Sequence, residues 1–158
     1  MALIDYVLED NARVRNARDK DEPYFIKSIM AAYPGCKAWQ GTTQDDFKHI
    51  DVFVKFSDGI KWNVDVKSEG QHSKNFSLCI KNSKGKYLRL MTAYGMYLAF
   101  IDYDENIIYI IHKPDLHEMT KRLNYKRRIS NDGRTEYILI HKTDLENNSK
   151  VIQIPLIK

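Results

Sequence analysis

Apolar and polar residues alternate most clearly between positions 51 and 67, where they predict a β-hairpin. In the second strand every other residue from Ile60 to Val66 is apolar, which is the pattern of a half-buried strand. The first strand has its apolar set at Val52, Val54 and Phe56. Ser57-Asp58-Gly59 suits the turn, because glycine readily adopts a positive φ. Pairing Phe56 with Ile60 keeps both apolar sets on one face, and a slip of one residue would separate them.

This register has a chemical consequence at the open end of the hairpin. It places Asp51 directly opposite Asp65, with Cβ atoms about 5 Å apart, and it puts Lys67 on the same face. Like charges in this arrangement repel each other, and a hard divalent cation between the carboxylates would remove the repulsion. The alternative is a solvated polar face on which the charges merely coincide. The pattern favours the metal site.

The rest of the chain predicts helices first and strands afterwards. Helical periodicity covers residues 2–19, and a second helix starts near Glu22-Pro23 and ends at Pro34-Gly35. Later strands are predicted at Phe76–Lys81, Tyr94–Asp102, Ile107–His112, Glu136–His141 and Val151–Ile157, with a short helix at Pro114–Leu123. The expected fold class is α/β (α+β), a single domain over residues 1–158 with a mixed sheet of about five or more strands.

Composition indicates the cellular location and the kind of metal ligand to expect, but it says little about the function. The chain of 158 residues carries a net charge of +4, and no apolar run approaches the roughly 20 residues of a membrane span. Acidic residues near the start argue against a secretory signal, so we expect a cytoplasmic protein with no membrane partner. Cys36 and Cys79 form neither a disulfide framework nor a zinc motif, and the histidines are scattered. Any metal ion is therefore expected to have oxygen ligands.

Basic residues concentrate in two stretches. One contains Lys81, Lys84, Lys86 and Arg89, and the other contains Lys121, Arg122, Lys126, Arg127, Arg128 and Arg134. Either stretch alone is equally well explained as a solvated surface. Together, on a chain with a candidate acidic metal site, they suit contacts with the phosphates of a nucleic acid.

A leading helix with an acid, a strand beginning at Asp51, and then Asp65-Val66-Lys67 resemble the PD-(D/E)XK nuclease superfamily. The resemblance covers roughly residues 20–80. It implies a restriction-endonuclease-like fold, a mixed β-sheet core with N-terminal helices packed on it, and hydrolysis of DNA with magnesium or manganese. Two departures stand out: Ile50 replaces the proline of the motif, and the second acid is Asp rather than Glu.

Carried over by position, the resemblance makes Asp51 and Asp65 the metal-binding acids of the two motif halves. The carbonyl of Val66 would be a further oxygen ligand, and Lys67 would be the motif lysine that positions the attacking water.

The resemblance also implies helper residues on either side of the motif. Glu22 is the best-placed acid of the leading helices to join the metal, with Glu9 a weaker alternative. An equally good explanation for Glu22 is a favourable interaction with the helix dipole. Gln71, and less securely Lys74, would assist after the motif lysine, although a simple solvated loop is the explanation we favour for both.

The leading hypothesis is a magnesium-dependent endonuclease that acts on DNA. The alternatives are a catalytically inactive nucleic-acid-binding protein of the same fold, a nuclease for RNA or branched DNA, and a structural or protein-interaction protein. A resolvase-like activity on branched DNA would require a homodimer. The segment Tyr94–Ile111 could supply its interface, but its apolar character fits core strands better.

Overall fold

The computed structural model describes residues 17–42, 50–68, 74–81, 97–131, 133 and 136–158. A single π-helical turn, Ala17–Asp21, leads directly into the first α-helix. The helices are α1 (Glu22–Ala32), α2 (Lys113–Arg122) and α3 (Lys142–Glu146). The strands are β1 (Lys37–Gln40), β2 (Val52–Lys55), β3 (Lys61–Ser68), β4 (Asn75–Lys81), β5 (Tyr97–Asp102), β6 (Ile107–His112), β7 (Arg128–Ile129), β8 (Glu136–His141) and β9 (Ile152–Pro155).

The strands form two sheets. The main sheet has six strands in the order β1-β2-β3-β5-β6-β9, and the small sheet has three in the order β4-β8-β7. Within the main sheet β3 and β5 run parallel, and the other neighbours are antiparallel. The predicted mixed α+β class with a large mixed sheet is confirmed at this level.

The predicted hairpin register is the observed one. Val52 pairs with Val64 and Lys55 with Lys61, so the same register continues to Phe56 and Ile60, where the Phe56 N–H donates to the Ile60 carbonyl at 2.8 Å. Gly59 has a φ of +91°, as the turn requires. Alternation in both strands was sufficient to determine which residues face each other.

Apolar residues on the two faces of the main sheet form separate cores. On the face that we call the helix face, α1 packs Phe25 and Ile29 against a buried set from the strands: Val52, Val54, Val64, Val66, Ala99, Ile101, Ile108, Ile110 and Ile154. On the opposite face, β5 and β6 are covered by the small sheet and α2, with Leu98, Phe100, Tyr109 and Ile111 packed against Phe76, Leu78, Leu116, Met119, Ile138 and Ile140. Each half of the core therefore has its own covering layer.

A buried ion pair joins the end of β5 to the start of α3. The Lys142 Nζ lies 2.9 Å from the Asp102 Oδ1, and the Asp102 side chain is 1 % exposed. The same Asp102 oxygen accepts the backbone N–H groups of Asp104 and Glu105. The contact connects the main sheet to a helix that follows directly on the small sheet.

Most elements agree with the sequence pattern, and the short strands β1 and β7 are additions to it. The helix from Glu22 and the later strands and helix are confirmed within a few residues, while positions 2–16 of the first predicted helix lie outside the described residues. Strand β1 was not predicted, because its four residues adjoin a long polar stretch. Over the described residues, no helix is long and apolar enough to cross a membrane.

Candidate active site

The candidate site lies where β2 and β3 part. Asp51 immediately precedes β2, and its N–H donates to the Val64 carbonyl at 2.9 Å. Its side-chain Oδ2 accepts the Val66 N–H at 2.8 Å. The Asp51 carboxylate thus accepts a hydrogen bond from a backbone N–H of β3, at the point where β2 no longer pairs with β3. This bond holds the carboxylate beside Asp65, with which it shares a hydrogen bond.

The carbonyl of Val66 shares this position. The N–H and C=O groups of one strand residue point to the same side of the strand. Since the Val66 N–H meets Asp51, the Val66 carbonyl is directed to the same gap between β2 and β3. A backbone oxygen and two carboxylates are therefore directed toward one region, a donor set that suits a hard divalent cation.

Electrostatics at Asp51 reflect this crowding. Burial raises the pKa of its carboxyl group well above the ordinary value of 3.8, and the charge of Asp65 and a hydrogen bond with Asp65 add to the rise. The hydrogen bond from Val66 acts in the opposite direction, and Glu22 adds a smaller repulsion. Asp51 as a whole is half-buried, so nearby solvent moderates the shift. The Asp51 carboxylate therefore holds a proton more tightly than an isolated carboxylate does.

Lys67 lies next to this pair. Its Nζ is 3.6 Å from the Asp65 Oδ2, and its side chain is 32 % exposed against 11 % for Asp65. The ammonium group therefore stands on the solvent side of the carboxylate, where it can reach an incoming anion. In the free protein Lys67 thus forms an ion pair with Asp65.

Glu22 approaches from α1. It is the first residue of the helix and is 2 % exposed, and its Oε1 accepts a hydrogen bond from the Gln40 Nε2 at 3.3 Å. Its effect on the pKa of Asp51 places it within electrostatic range of that carboxylate. Its position in the first helical turn also fits a dipole interaction, so both explanations for Glu22 stay open.

These carboxylates do not form a complete metal cage. In the part of the chain that the structure describes, no group of three or more His, Cys, Asp or Glu side chains is placed to hold a metal ion. The two observations are compatible, because a charge interaction extends much further than a magnesium–oxygen bond of about 2.1 Å. The firm geometry is the Asp51–Asp65 pair with Lys67 beside it.

A second polar cluster supports the same region and was not predicted. Asp21 is buried, and its Oδ2 accepts the Ser68 hydroxyl at 2.7 Å while its Oδ1 accepts the Tyr103 hydroxyl. Burial and the hydrogen bond to Asp21 raise the pKa of Tyr103. The cluster joins the residue before Glu22 to the residue after Lys67. Its members are 47 and 82 residues from Asp21 in the chain, which left no local signal for them.

The predicted assisting and basic residues are described only in part. Gln71, Lys84, Lys86 and Arg89 are outside the described residues, Lys81 belongs to β4, and Lys74 is exposed just before that strand. The second stretch is exposed around the end of α2 and β7: Lys121, Arg122, Lys126, Arg127 and Arg128. Arg127 pairs with Glu136 at 3.8 Å. These elements pack chiefly on β6 and β8, and β6 is two strands from β3, so their role in binding nucleic acid stays a prediction.

Comparison with known proteins finds no match to this chain among family models, curated proteins or solved structures. The resemblance to nucleases therefore depends on Asp51, Asp65, Val66 and Lys67 and on the geometry described above.

Proposed function

We propose that this protein is a metal-dependent endonuclease that hydrolyses phosphodiester bonds in DNA. The observation that carries the proposal is the pair of facing carboxylates, Asp51 and Asp65, at the parting of two strands with Lys67 beside them. Burying two like charges together is unfavourable unless a cation or a proton compensates them. A restriction-endonuclease-like fold would be consistent with the mixed sheet and the helix that precedes it.

Magnesium or manganese would be held by the carboxylates of Asp51 and Asp65 and the carbonyl of Val66, with Glu22 as a further acid. When bound, the ion would neutralise charge on the phosphate and lower the pKa of a coordinated water. The raised pKa of Asp51 fits this role, because a cation replaces the proton that the pair otherwise retains.

Lys67 would act on the phosphate and the attacking water. Its exposed ammonium group can donate hydrogen bonds to a phosphate oxygen or orient a water while it stays near Asp65. Charge on the phosphate grows as the water oxygen bonds to phosphorus and the bond to the leaving sugar oxygen breaks. Loss of Lys67 should therefore reduce turnover more than substrate binding.

A second candidate is a nucleic-acid-binding protein of the same fold without catalytic activity. It is favoured by one observation: the described residues do not supply three acidic or metal-ligating side chains in a ready cage. Such a protein would bind nucleic acid in a salt-dependent way without responding to magnesium. A nuclease for RNA or branched DNA remains the other alternative.

The experiment is a cleavage assay with magnesium or manganese on linear duplex, nicked, branched and single-stranded DNA and on RNA. Asp65→Asn and Lys67→Ala are compared with two controls that keep the site intact, Glu118→Gln and Lys27→Ala, both at exposed positions. We expect metal-dependent cutting by the wild type and both controls, at least about 100-fold less by the site variants, and none with a chelator.

If no substrate in the panel is cut, or if the site variants cut as well as the controls, the nuclease proposal is wrong. Salt-dependent binding without cutting would then support the second candidate. The substrate that is cut fastest identifies whether DNA, RNA or a branched form is preferred.

A further inference from the structure

The hairpin register and its pairing with β1 arrange the opposite face of the main sheet into three rows across β1, β2 and β3. The acidic row is the pair Asp51 and Asp65. The aromatic row is Trp39 and Phe53, with Asn63 as the third member, and the lysine row is Lys37, Lys55 and Lys61. Successive rows are two residues apart along β3, at Asp65, Asn63 and Lys61, or about 7 Å.

The aromatic row has one uncovered ring. Trp39 and Phe53 are directly paired across the strands and stack with centroids 5.8 Å apart and ring planes 22° from parallel. Trp39 is nevertheless 46 % exposed, on β1 at the edge of the main sheet. A tryptophan held flat by one neighbour and open on its other side is a platform for another planar group.

The lysine row is unusual because like charges face each other. Lys37 pairs with Lys55, and Lys55 pairs with Lys61, and all three residues are exposed. Lysines directly opposite each other on one face repel and are disfavoured unless an anion compensates them. Their position on the same face as the acidic row makes the phosphates of a polynucleotide the natural compensating group.

We propose that this face binds unpaired nucleotides, with one base stacked on Trp39 and the following phosphates held by the lysine row. This inference rests on the proposed function, because it specifies which form of nucleic acid would bind beside Asp51 and Asp65. The faces of bases in an intact duplex are already covered by neighbouring bases. The platform therefore selects single-stranded nucleic acid or the frayed, unpaired ends of a duplex. A base belonging to the phosphate at Asp51 would reach the aromatic row, which is about 7 Å away.

Binding is tested without catalysis, in a chelator, through the fluorescence of Trp39. The chain has two tryptophans, so Trp62→Phe leaves Trp39 as the only reporter. We expect a single-stranded oligothymidylate to quench this fluorescence and a blunt duplex of equal charge to have little effect. Should Trp62→Phe fail to fold, the anisotropy of a labelled oligonucleotide bound to otherwise unaltered protein gives the same comparison.

Substitutions at Trp39 and Lys55, each with a control, separate stacking from other contacts. Trp39→Ala should weaken single-strand binding about 5- to 150-fold and leave duplex binding unchanged, whereas Trp39→Phe should retain most of the affinity. Ile129→Ala is the control, because Ile129 is an exposed apolar residue, 62 % accessible, on the small sheet. Lys55→Gln should lower the slope of log affinity against log salt by about 0.7, and Lys27→Gln should not change it.

The outcomes separate this inference from the proposed function. Cleavage without quenching, or equal effects of Trp39→Ala on single strands and duplex, would overturn the inference and leave the nuclease intact. Quenching without cleavage would support the inference and count against the nuclease. If Trp39→Ala instead changes the sedimentation of the protein alone, the face is a contact between copies and the inference is wrong.

Discussion

At the scale of single residues, the carboxylate of Asp51 has two competing partners. The Val66 N–H stabilises its charged form, and burial together with Asp65 destabilises it. The second influence is the larger one, since the pKa of Asp51 is raised. The charged form of this side chain therefore destabilises the free protein, and a bound proton or, under our proposal, a bound cation would offset the cost.

We therefore predict that Asp51→Asn stabilises the metal-free protein at alkaline pH. In the folded chain Asp51 keeps its proton above the ordinary pKa of 3.8, so the folded state binds more protons and loses stability as pH rises from about 4 through the raised pKa. Urea unfolding in a chelator should show that the free energy of unfolding falls less between pH 5 and pH 8 for the variant than for the wild type. At pH 8 the variant should be more stable than the wild type by at least about 1 kcal/mol. Equal destabilisation at both values would contradict this explanation.

Magnesium should stabilise the wild-type protein and not the Asp65→Asn variant. A cation that binds only the folded state adds about 2.7 kcal/mol at a concentration 100 times its Kd. Thermal unfolding measured with and without magnesium at pH 8 gives the comparison, with Glu118→Gln as the variant that should respond like the wild type. A magnesium response that survives Asp65→Asn would place the ion elsewhere.

At the scale of elements, the hairpin of β2 and β3 sets the geometry of both the acidic pair and the rows beside it. Its register is favoured by the burial of Val52, Val54 and Val64, which are fully inaccessible to solvent. The turn contributes Gly59, with its φ of +91°. The strands and the turn thus favour the same pairing.

The relative weight of turn and strands can be measured with Gly59→Ala. A Cβ at Gly59 would meet no atom within 4 Å, so the cost is that of the backbone conformation alone, about 1–2 kcal/mol. We expect the urea midpoint to fall by this amount while the response to magnesium stays unchanged, because the buried valines keep the register. Loss of the magnesium response together with stability would show that the turn sets the register.

The sequence was sufficient for features that depend on neighbouring residues. Alternation predicted which residues of β2 and β3 face each other, and with them the positions of Asp65 and Lys67 on β3. It was insufficient for Asp21, whose partners come from distant segments that meet only through packing. The stack of Trp39 on Phe53 was missed for a related reason: a strand of four residues carries too little periodicity to be recognised.

At the scale of the whole molecule, the covering of the opposite face is uneven. Over β5 and β6 the small sheet and α2 exclude water, whereas the rows over β1–β3 include exposed residues. The buried pair of Lys142 and the Asp102 Oδ1 connects the covering layer to the end of β5, and among the described residues the Asp102 Oδ2 has no hydrogen-bond partner. This ion pair adds to the apolar packing that attaches the layer to β5 and β6.

Lys142→Met should destabilise the protein by about 3–5 kcal/mol, because it leaves the buried charge of Asp102 without its cation. Adding Asp102→Asn to the same chain should recover part of this loss. Urea unfolding of both variants measures the effect, and Lys150→Met, which removes a lysine paired only at the surface, should unfold like the wild type. If Lys142→Met left the free energy of unfolding unchanged, solvent would have to reach Asp102 freely.

The order of the strands has a last consequence for the integrity of the chain. The small sheet takes β4 from between β3 and β5, and it takes β7 and β8 from between β6 and β9. No single cut divides the polypeptide into one piece with the main sheet and another with the small sheet. Truncation from one end therefore cannot isolate either sheet, and a protease that nicks one sheet should release nothing that stays folded.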